Sequence, residues 1–121
     1  MARVLIIDDS PTETYSLRSM LEKNGFEVLE AENGADGVAI ARQEKPDVIL
    51  MDIVMPGLNG FQATRQITKD PETSHIPVII VTTKDQETDR VWGKRQGAKD
   101  YLAKPVEEGT LVETIKRALT D

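Results

Sequence analysis

The sequence is poor in the residues from which redox, metal-thiolate and nucleic-acid sites are built. Cysteine is absent, which excludes disulfide bonds, thiol catalysis and thiolate metal ligands. The single histidine, His75, cannot form a histidine cluster, and we expect it in a solvated loop. The 15 basic residues form no cluster and are outnumbered by 21 acidic ones, so the net charge of −6 disfavours direct binding to nucleic acid.

Long apolar runs are missing as well. No run approaches the roughly 20 residues that a membrane-spanning helix needs. The first residues enter an apolar segment without the basic lead or the small-residue cleavage site of a signal peptide. The length of 121 residues suits one domain, and no linker or low-complexity tract leaves room for a second. We therefore expect a single domain over residues 1–121, without an output domain, that is cytoplasmic and does not insert into the membrane.

Short apolar runs mark the strands. Residues 4–7, 48–51 and 76–81 have the length and β-branching of strands that are covered on both faces, as in a parallel sheet. Residues 26–30 predict a shorter strand whose interleaved glutamates suit a sheet edge. A last short strand is predicted at residues 101–103.

Helix signals separate these strands. Ser10-Pro11-Thr12-Glu13 is typical of a capping box with proline at the first helical position, and Asn24-Gly25 predicts the end of that helix. Asn33-Gly34 opens a second helix, whose residues expected to face inward are Ala35, Val38 and Ala39. Further helices are predicted at residues 60–69 and 85–96, and the apolar stripe of a last helix is Leu111, Val112, Ile115, Ala118 and Leu119. Five βα units with right-handed crossovers predict a doubly wound α/β fold, a parallel sheet with helices on both faces.

Polar and charged side chains follow the predicted strands where each strand ends. Asp8 and Asp9 follow the first, Asp52 the third, Thr82 the fourth and Lys104 the fifth. In open parallel sheets the ligand crevice lies at this edge. Singly, each residue is explained as a helix cap or a solvated side chain, but together the carboxylates favour a Mg²⁺ site with oxygen ligands. Asp52 is then a candidate phosphoryl acceptor, with Thr82 and Lys104 placed to hold phosphoryl oxygens.

Four motifs follow one another in the order of a known family, and the match to that family covers nearly the whole chain. They are Asp8-Asp9-Ser10, residues 52–57 (Asp-Ile-Val-Met-Pro-Gly), Val81-Thr82 and residues 97–105 (Gly-Ala-Lys-Asp-Tyr-Leu-Ala-Lys-Pro). Together they resemble the receiver domain of bacterial two-component response regulators. The resemblance implies a CheY-like, flavodoxin-like sheet of strand order 2-1-3-4-5. Among single-domain receivers, the sequence around residues 84–96 is most similar to the PilH-type regulators of type IV pilus chemosensory systems.

The resemblance also implies roles for the site residues. Asp52 would accept the phosphoryl group, and Asp9, Asp52 and the backbone carbonyl of Val54 would bind Mg²⁺. Asp8 would act on the metal mainly through water. Lys104 would pair with the phosphoryl oxygens, and its peptide bond to the following proline is expected to be cis.

A switch is implied at the fourth and fifth strands. Thr82 would turn to hydrogen-bond the phosphoryl group and Tyr101 would swing inward behind it, although packing alone explains a half-buried tyrosine nearly as well. Trp92, the sole tryptophan, lies on an otherwise polar helix, where we expect semi-buried packing. The positions that depart from the commonest family pattern, and that bear on the lifetime of the phosphoryl group, are Thr83, Val54 and Lys84.

The resemblance therefore predicts a monomeric, stand-alone receiver rather than an enzyme acting on external substrates. Its partners would be a histidine kinase or phosphotransfer domain, and a downstream motility or regulatory protein. A phosphate sink for another regulator is an alternative. A phosphatase with an aspartyl nucleophile is less favoured, because Val54 stands where such enzymes usually carry a second aspartate. A flavin-phosphate binder would need a phosphate loop where the chain has Glu13.

Overall fold

The computed structural model describes residues 1–120, in which strands and helices alternate along the chain. The strands are β1 (Arg3–Ile7), β2 (Glu27–Ala31), β3 (Val48–Met51), β4 (Val78–Thr82) and β5 (Asp100–Ala103). The helices are α1 (Pro11–Lys23), α2 (Gly34–Glu44), α3 (Gly60–Lys69), α4 (Glu87–Arg95) and α5 (Glu108–Thr120). All strand pairs are parallel and the strand order is β2-β1-β3-β4-β5, which confirms the predicted fold. Within residues 1–120, no helix combines the length and apolarity needed to cross a membrane.

The central strands are buried on both faces, and alternate side chains feed two cores. Leu5 and Ile7 of β1 point into a core that includes Ile67 of α3. Val4 and Ile6 of the same strand point into the other core, which α1 and α5 complete. This arrangement explains why the β1 and β3 segments are continuously apolar rather than alternating.

The ends of α1 follow the sequence signals with one difference. The Ser10 hydroxyl oxygen accepts the Glu13 N–H at 3.3 Å, and Gly25 adopts a left-handed φ of 86° after the helix. The Glu13 carboxylate does not close the capping box, because the Ser10 N–H donates to Asp8 Oδ1 at 2.9 Å instead. The first helix is thereby tied directly to the end of β1.

The predicted inward face of α2 is wrong for two of its three residues, since only Val38 packs against the core, where it is partly buried. Ala35 and Ala39 are exposed, whereas Gly37 and Ala41 are buried. A Cβ atom on Gly37 would lie only 2.4 Å from Cδ1 of Ile7, so α2 turns a glycine towards the sheet and packs closely on β1. In α5, Leu119 was likewise expected inside but is 38% exposed, while the other four stripe residues are buried.

Gly60 at the start of α3 sets the position of the loop that follows β3. Its N–H donates to the Ile53 carbonyl at 3.1 Å, and a Cβ atom at this position would lie 2.0 Å from the Asp52 carbonyl oxygen. The contact is with backbone, so a neighbouring rotamer change cannot relieve it. α3 can therefore begin directly against Asp52 only because residue 60 has no side chain.

We expect Gly60→Ala to destabilise the fold by about 1–3 kcal/mol, because the backbone around Asp52 must shift to admit the methyl group. Gly109→Ala in α5 is the matched control, since its nearest contact would be the Glu107 carboxylate at 3.4 Å, and it should change stability by less than about 1 kcal/mol. Urea unfolding of both variants measures the difference. Equal stabilities would show that the close approach at Gly60 does not constrain the loop.

Candidate functional site

Three strand ends supply the charged groups of the site. Asp8 follows β1, Asp52 follows β3 and Lys104 follows β5. Backbone hydrogen bonds continue across the sheet here, from Asp52 N–H to the Ile7 carbonyl at 2.9 Å and from Lys104 N–H to the Thr82 carbonyl at 2.9 Å. The hydrogen bonds of the sheet therefore fix the backbone position from which each of these side chains extends.

Lys104 lies between the carboxylates of neighbouring strands. Its side chain is 7% exposed, and Nζ lies 2.7 Å from Asp8 Oδ2 and 3.9 Å from Asp52 Oδ2. Glu13 of α1 approaches the same ammonium at 3.7 Å. A buried charge is tolerated when it is paired and hydrogen-bonded, and Asp8 provides that pairing here. The Lys104-Pro105 peptide bond is cis, as predicted.

Asp52 is itself 8% exposed. Its Oδ1 accepts the Ile53 N–H at 2.8 Å. Burial raises the pKa of Asp52; Lys104 opposes that shift, Asp8 adds to it, and the net pKa lies above the ordinary aspartate value. In the absence of a cation, the negative charge on Asp52 is therefore only partly compensated.

The carboxylates of Asp8, Asp9 and Asp52 form one cluster. Each contributes an oxygen that lies within 4.8 Å of the other two, and Asp9 is the exposed member. Of these three carboxylates, only those of Asp8 and Asp52 lie near the buried ammonium of Lys104, so the cluster carries excess negative charge. An all-oxygen donor set with one side open to water fits a hard divalent cation such as Mg²⁺. Val54 lies in the loop that follows Asp52, and its side chain is exposed.

Thr82 and Tyr101 lie next to this cluster. Thr82 is fully buried, and its hydroxyl oxygen accepts the Lys84 N–H at 3.4 Å. Tyr101 is also buried and donates its hydroxyl proton to the Lys84 carbonyl at 2.6 Å. Burial raises the pKa of Tyr101 to about 12, with Asp89 adding to the shift. The structure thus holds Tyr101 in the inward position.

Two residues around the site were not singled out from the sequence for the role they have. Glu13, interpreted as a cap, instead approaches Lys104. Arg90 donates to the Tyr101 carbonyl at 3.2 Å, lies 5.2 Å from the centre of its ring and pairs with Asp85. For Glu13, its position in the first turn of α1 is the only sequence signal that it could approach Lys104. No sequence pattern pairs Arg90 with Tyr101. Lys84 approaches Asp89 at 3.7 Å.

We expect Lys104→Met to destabilise the protein by about 3 kcal/mol near neutral pH without divalent cations, because it leaves buried carboxylates unpaired. The raised pKa of Asp52 means that the native state binds this proton more tightly than the unfolded chain. The stability it contributes is therefore lost as pH rises through the native pKa. The deficit of the variant should accordingly be largest above that pKa and shrink as pH falls through it.

Lys84→Met is the matched control, since its partly exposed pair with Asp89 should be worth less than about 1 kcal/mol. Thermal unfolding of wild type and both variants between acidic and neutral pH measures these differences. A Lys104→Met deficit that does not depend on pH would mean that lost packing, and not unpaired charge, accounts for it.

Similar proteins agree with this geometry. The chain is 78% identical to Protein PilH of Pseudomonas aeruginosa PAO1 over 119 residues, which cover 98% of both chains. Its fold is similar to that of the chemotaxis protein CheY4 of Vibrio cholerae, with a TM-score of 0.92, 32% identity and coverage of 98% and 99%. The receiver domain of a Pseudomonas aeruginosa sensor histidine kinase, solved with a magnesium ion coordinated in its active site cleft, gives a TM-score of 0.92, 30% identity and coverage of 99% and 98%.

A family match spans most of the chain. Residues 4–116 match the response regulator receiver domain, and this range contains the carboxylate cluster, Thr82, Tyr101 and Lys104. The family is one of signalling regulators rather than of metabolic enzymes, and its members exchange signals with histidine kinases and downstream effectors. The acidic strand ends, the order of the strands and the similar proteins agree, and the chain belongs to the response regulator receiver domain family.

Proposed function

We propose that the protein is a stand-alone receiver that accepts a phosphoryl group on Asp52 from a histidine kinase or its phosphotransfer domain. The observation that carries the proposal is the position of the Asp52 carboxylate, which is buried 3.9 Å from Lys104 Nζ in one cluster with the carboxylates of Asp8 and Asp9. The similarity to Protein PilH over 98% of both chains supports a single-domain protein that acts by contact with other proteins, in the control of type IV pilus twitching motility.

The metal site of this proposal uses the acidic cluster. Asp9 and Asp52 would hold Mg²⁺ together with the backbone carbonyl of Val54, and Asp8 would act through water. The excess negative charge of the cluster and its all-oxygen donors support this assignment. When bound, the cation neutralises charge on the phosphoryl oxygens.

The chain's own groups then receive the phosphoryl group. A carboxylate oxygen of Asp52 forms the new O–P bond while the N–P bond to the donor histidine breaks, and the imidazole leaves with the electron pair of that bond. Lys104 is already within 3.9 Å of Asp52 and can exchange its bond with Asp8 for one with a phosphoryl oxygen. The reaction modifies the receiver itself and turns over no external substrate.

Thr82 and Tyr101 transmit the effect of phosphorylation from Asp52 to the protein surface. A phosphoryl group adds about −1.5 to −2 charges and three acceptor oxygens, so it favours the conformation in which the Thr82 hydroxyl turns towards it. That movement leaves space behind Thr82, which the inward Tyr101 occupies. Phosphorylation would thus shift the population towards the inward packing seen here and alter the surface formed by α4, β5 and α5.

The phosphatase alternative has no support from the site. The Val54 side chain is 57% exposed and has no acid or base to offer an attacking water. A role as phosphate sink would use the same Asp52 chemistry and would differ in the lifetime and destination of the phosphoryl group.

We expect Mg²⁺ and a small phosphodonor such as phosphoramidate to add the mass of one phosphoryl group to the wild-type protein. Asp52→Asn should take up none, because the acceptor oxygen is gone. Asp9→Asn should need a higher Mg²⁺ concentration for the same labelling, since it removes a ligand. Intact-protein mass spectrometry measures all three.

Asp47→Asn is the control, because this exposed carboxylate lies at the opposite end of β3. It should label like wild type. A phosphoryl group that persists in Asp52→Asn, or labelling that is independent of Mg²⁺, would refute the assignment.

A further inference from the structure

A groove of about 440 Å³ lies between α3 and α4, on the side of α4 away from Tyr101. Its wall carries Trp92, which is 50% exposed, and Phe61, which is partly buried. Trp92 was expected to be packing, but α4 is seated on the sheet through Gly93, which faces Ile80 and Tyr101. The tryptophan is therefore left beside the groove with half of its surface available.

The polar groups of the groove are hydrogen-bond donors. Asn59 and Gln62 use their amide oxygens on each other's backbone N–H groups in the capping box of α3, which leaves their NH₂ groups free to donate. Gln96 is only 7% exposed, yet within the described part of the chain its side chain has no hydrogen-bond partner. Arg65 adds a guanidinium that forms no ion pair among residues 1–120.

Carboxylates are absent from the described lining of this groove, although the protein carries a net charge of −6. α3 contains no acidic residue. On α4, Glu87 lines the opposite groove beside Tyr101, and Asp89 is engaged with Lys84 and the Gln86 N–H. The α3–α4 groove is thus a donor-rich site on an acidic protein, and its charge is complementary to an acidic ligand.

We propose that the α3–α4 groove binds a segment of a partner protein that carries a carboxylate next to an aromatic or aliphatic side chain. The apolar side chain packs on Trp92 and Phe61, as tryptophan commonly does at the centre of interfaces. The carboxylate pairs with the planar donors of Arg65, and the free amide groups bind backbone carbonyls of the segment. The surface is separate from the α4–β5–α5 surface, and its occupation does not require phosphorylation of Asp52.

The probe is a phage-displayed library of random linear peptides, selected on the wild-type protein. Enriched peptides should contain Asp or Glu beside an apolar residue, and their binding should change the fluorescence of Trp92, the only tryptophan of the chain. Trp92→Ala and Arg65→Glu should each weaken binding by about tenfold or more. Trp92→Phe should retain part of the affinity, which a folding defect would not allow.

Lys116→Glu is the control for charge, because it alters the net charge as Arg65→Glu does but lies on α5, outside the groove. It should bind the peptides like wild type. Arg65→Glu should still label on Asp52 with phosphoramidate, so a failure of this proposal can be told from a failure of the acceptor assignment. Selection of basic peptides, or of peptides indifferent to Arg65 and Trp92, would overturn it. Trp92-dependent self-association in sedimentation would also overturn it, by making a second copy the occupant.

Discussion

The structure depends on one buried ammonium group, that of Lys104, which lies between carboxylates at the ends of different strands. Lys104 pairs with Asp8 at 2.7 Å and reaches within 3.9 Å of Asp52, and all three side chains are nearly inaccessible. Burial raises the pKa of Asp52, and the charge of Asp8 adds to that shift, so the single ammonium of Lys104 does not bring this pKa back to the ordinary value. The fold therefore keeps excess negative charge at one place. A divalent cation would compensate that charge and so allow a phosphoryl group to approach.

The parallel sheet makes that arrangement possible, because its continuously apolar strands bury both faces and end together at one edge. The close contact of Gly60 with the Asp52 backbone fixes where α3 begins relative to the site. Lys84 joins Thr82 to Tyr101, because its backbone N–H reaches Thr82 and its carbonyl accepts from Tyr101, and its ammonium approaches Asp89 of α4 at 3.7 Å. A change at Asp52 thus has short routes to both helices; α3 and α4 both border the α3–α4 groove, and α4 also borders the surface beside Tyr101.

Much of this could be predicted because the relevant signals are local. The apolar runs and the charged residues that end them fixed the strands, and the family resemblance supplied their order and the roles of Asp52 and Lys104. The phase of α2 could not be predicted, because it depends on how Gly37 meets Ile7 across the sheet. The contacts of Arg90 with Tyr101 and of Glu13 with Lys104 depend on side-chain directions that no sequence period encodes.

We infer that burial leaves the Asp52 charge undercompensated until a cation binds. The most direct test of this inference is a ¹³C NMR titration of the Asp52 carboxyl carbon, assigned with Asp52→Asn, in metal-free buffer and in Mg²⁺. We expect a pKa above the ordinary aspartate value of about 3.9 without metal, and a fall in that pKa when Mg²⁺ is added. A metal-free pKa at or below the ordinary value, or one that Mg²⁺ does not move, would contradict it.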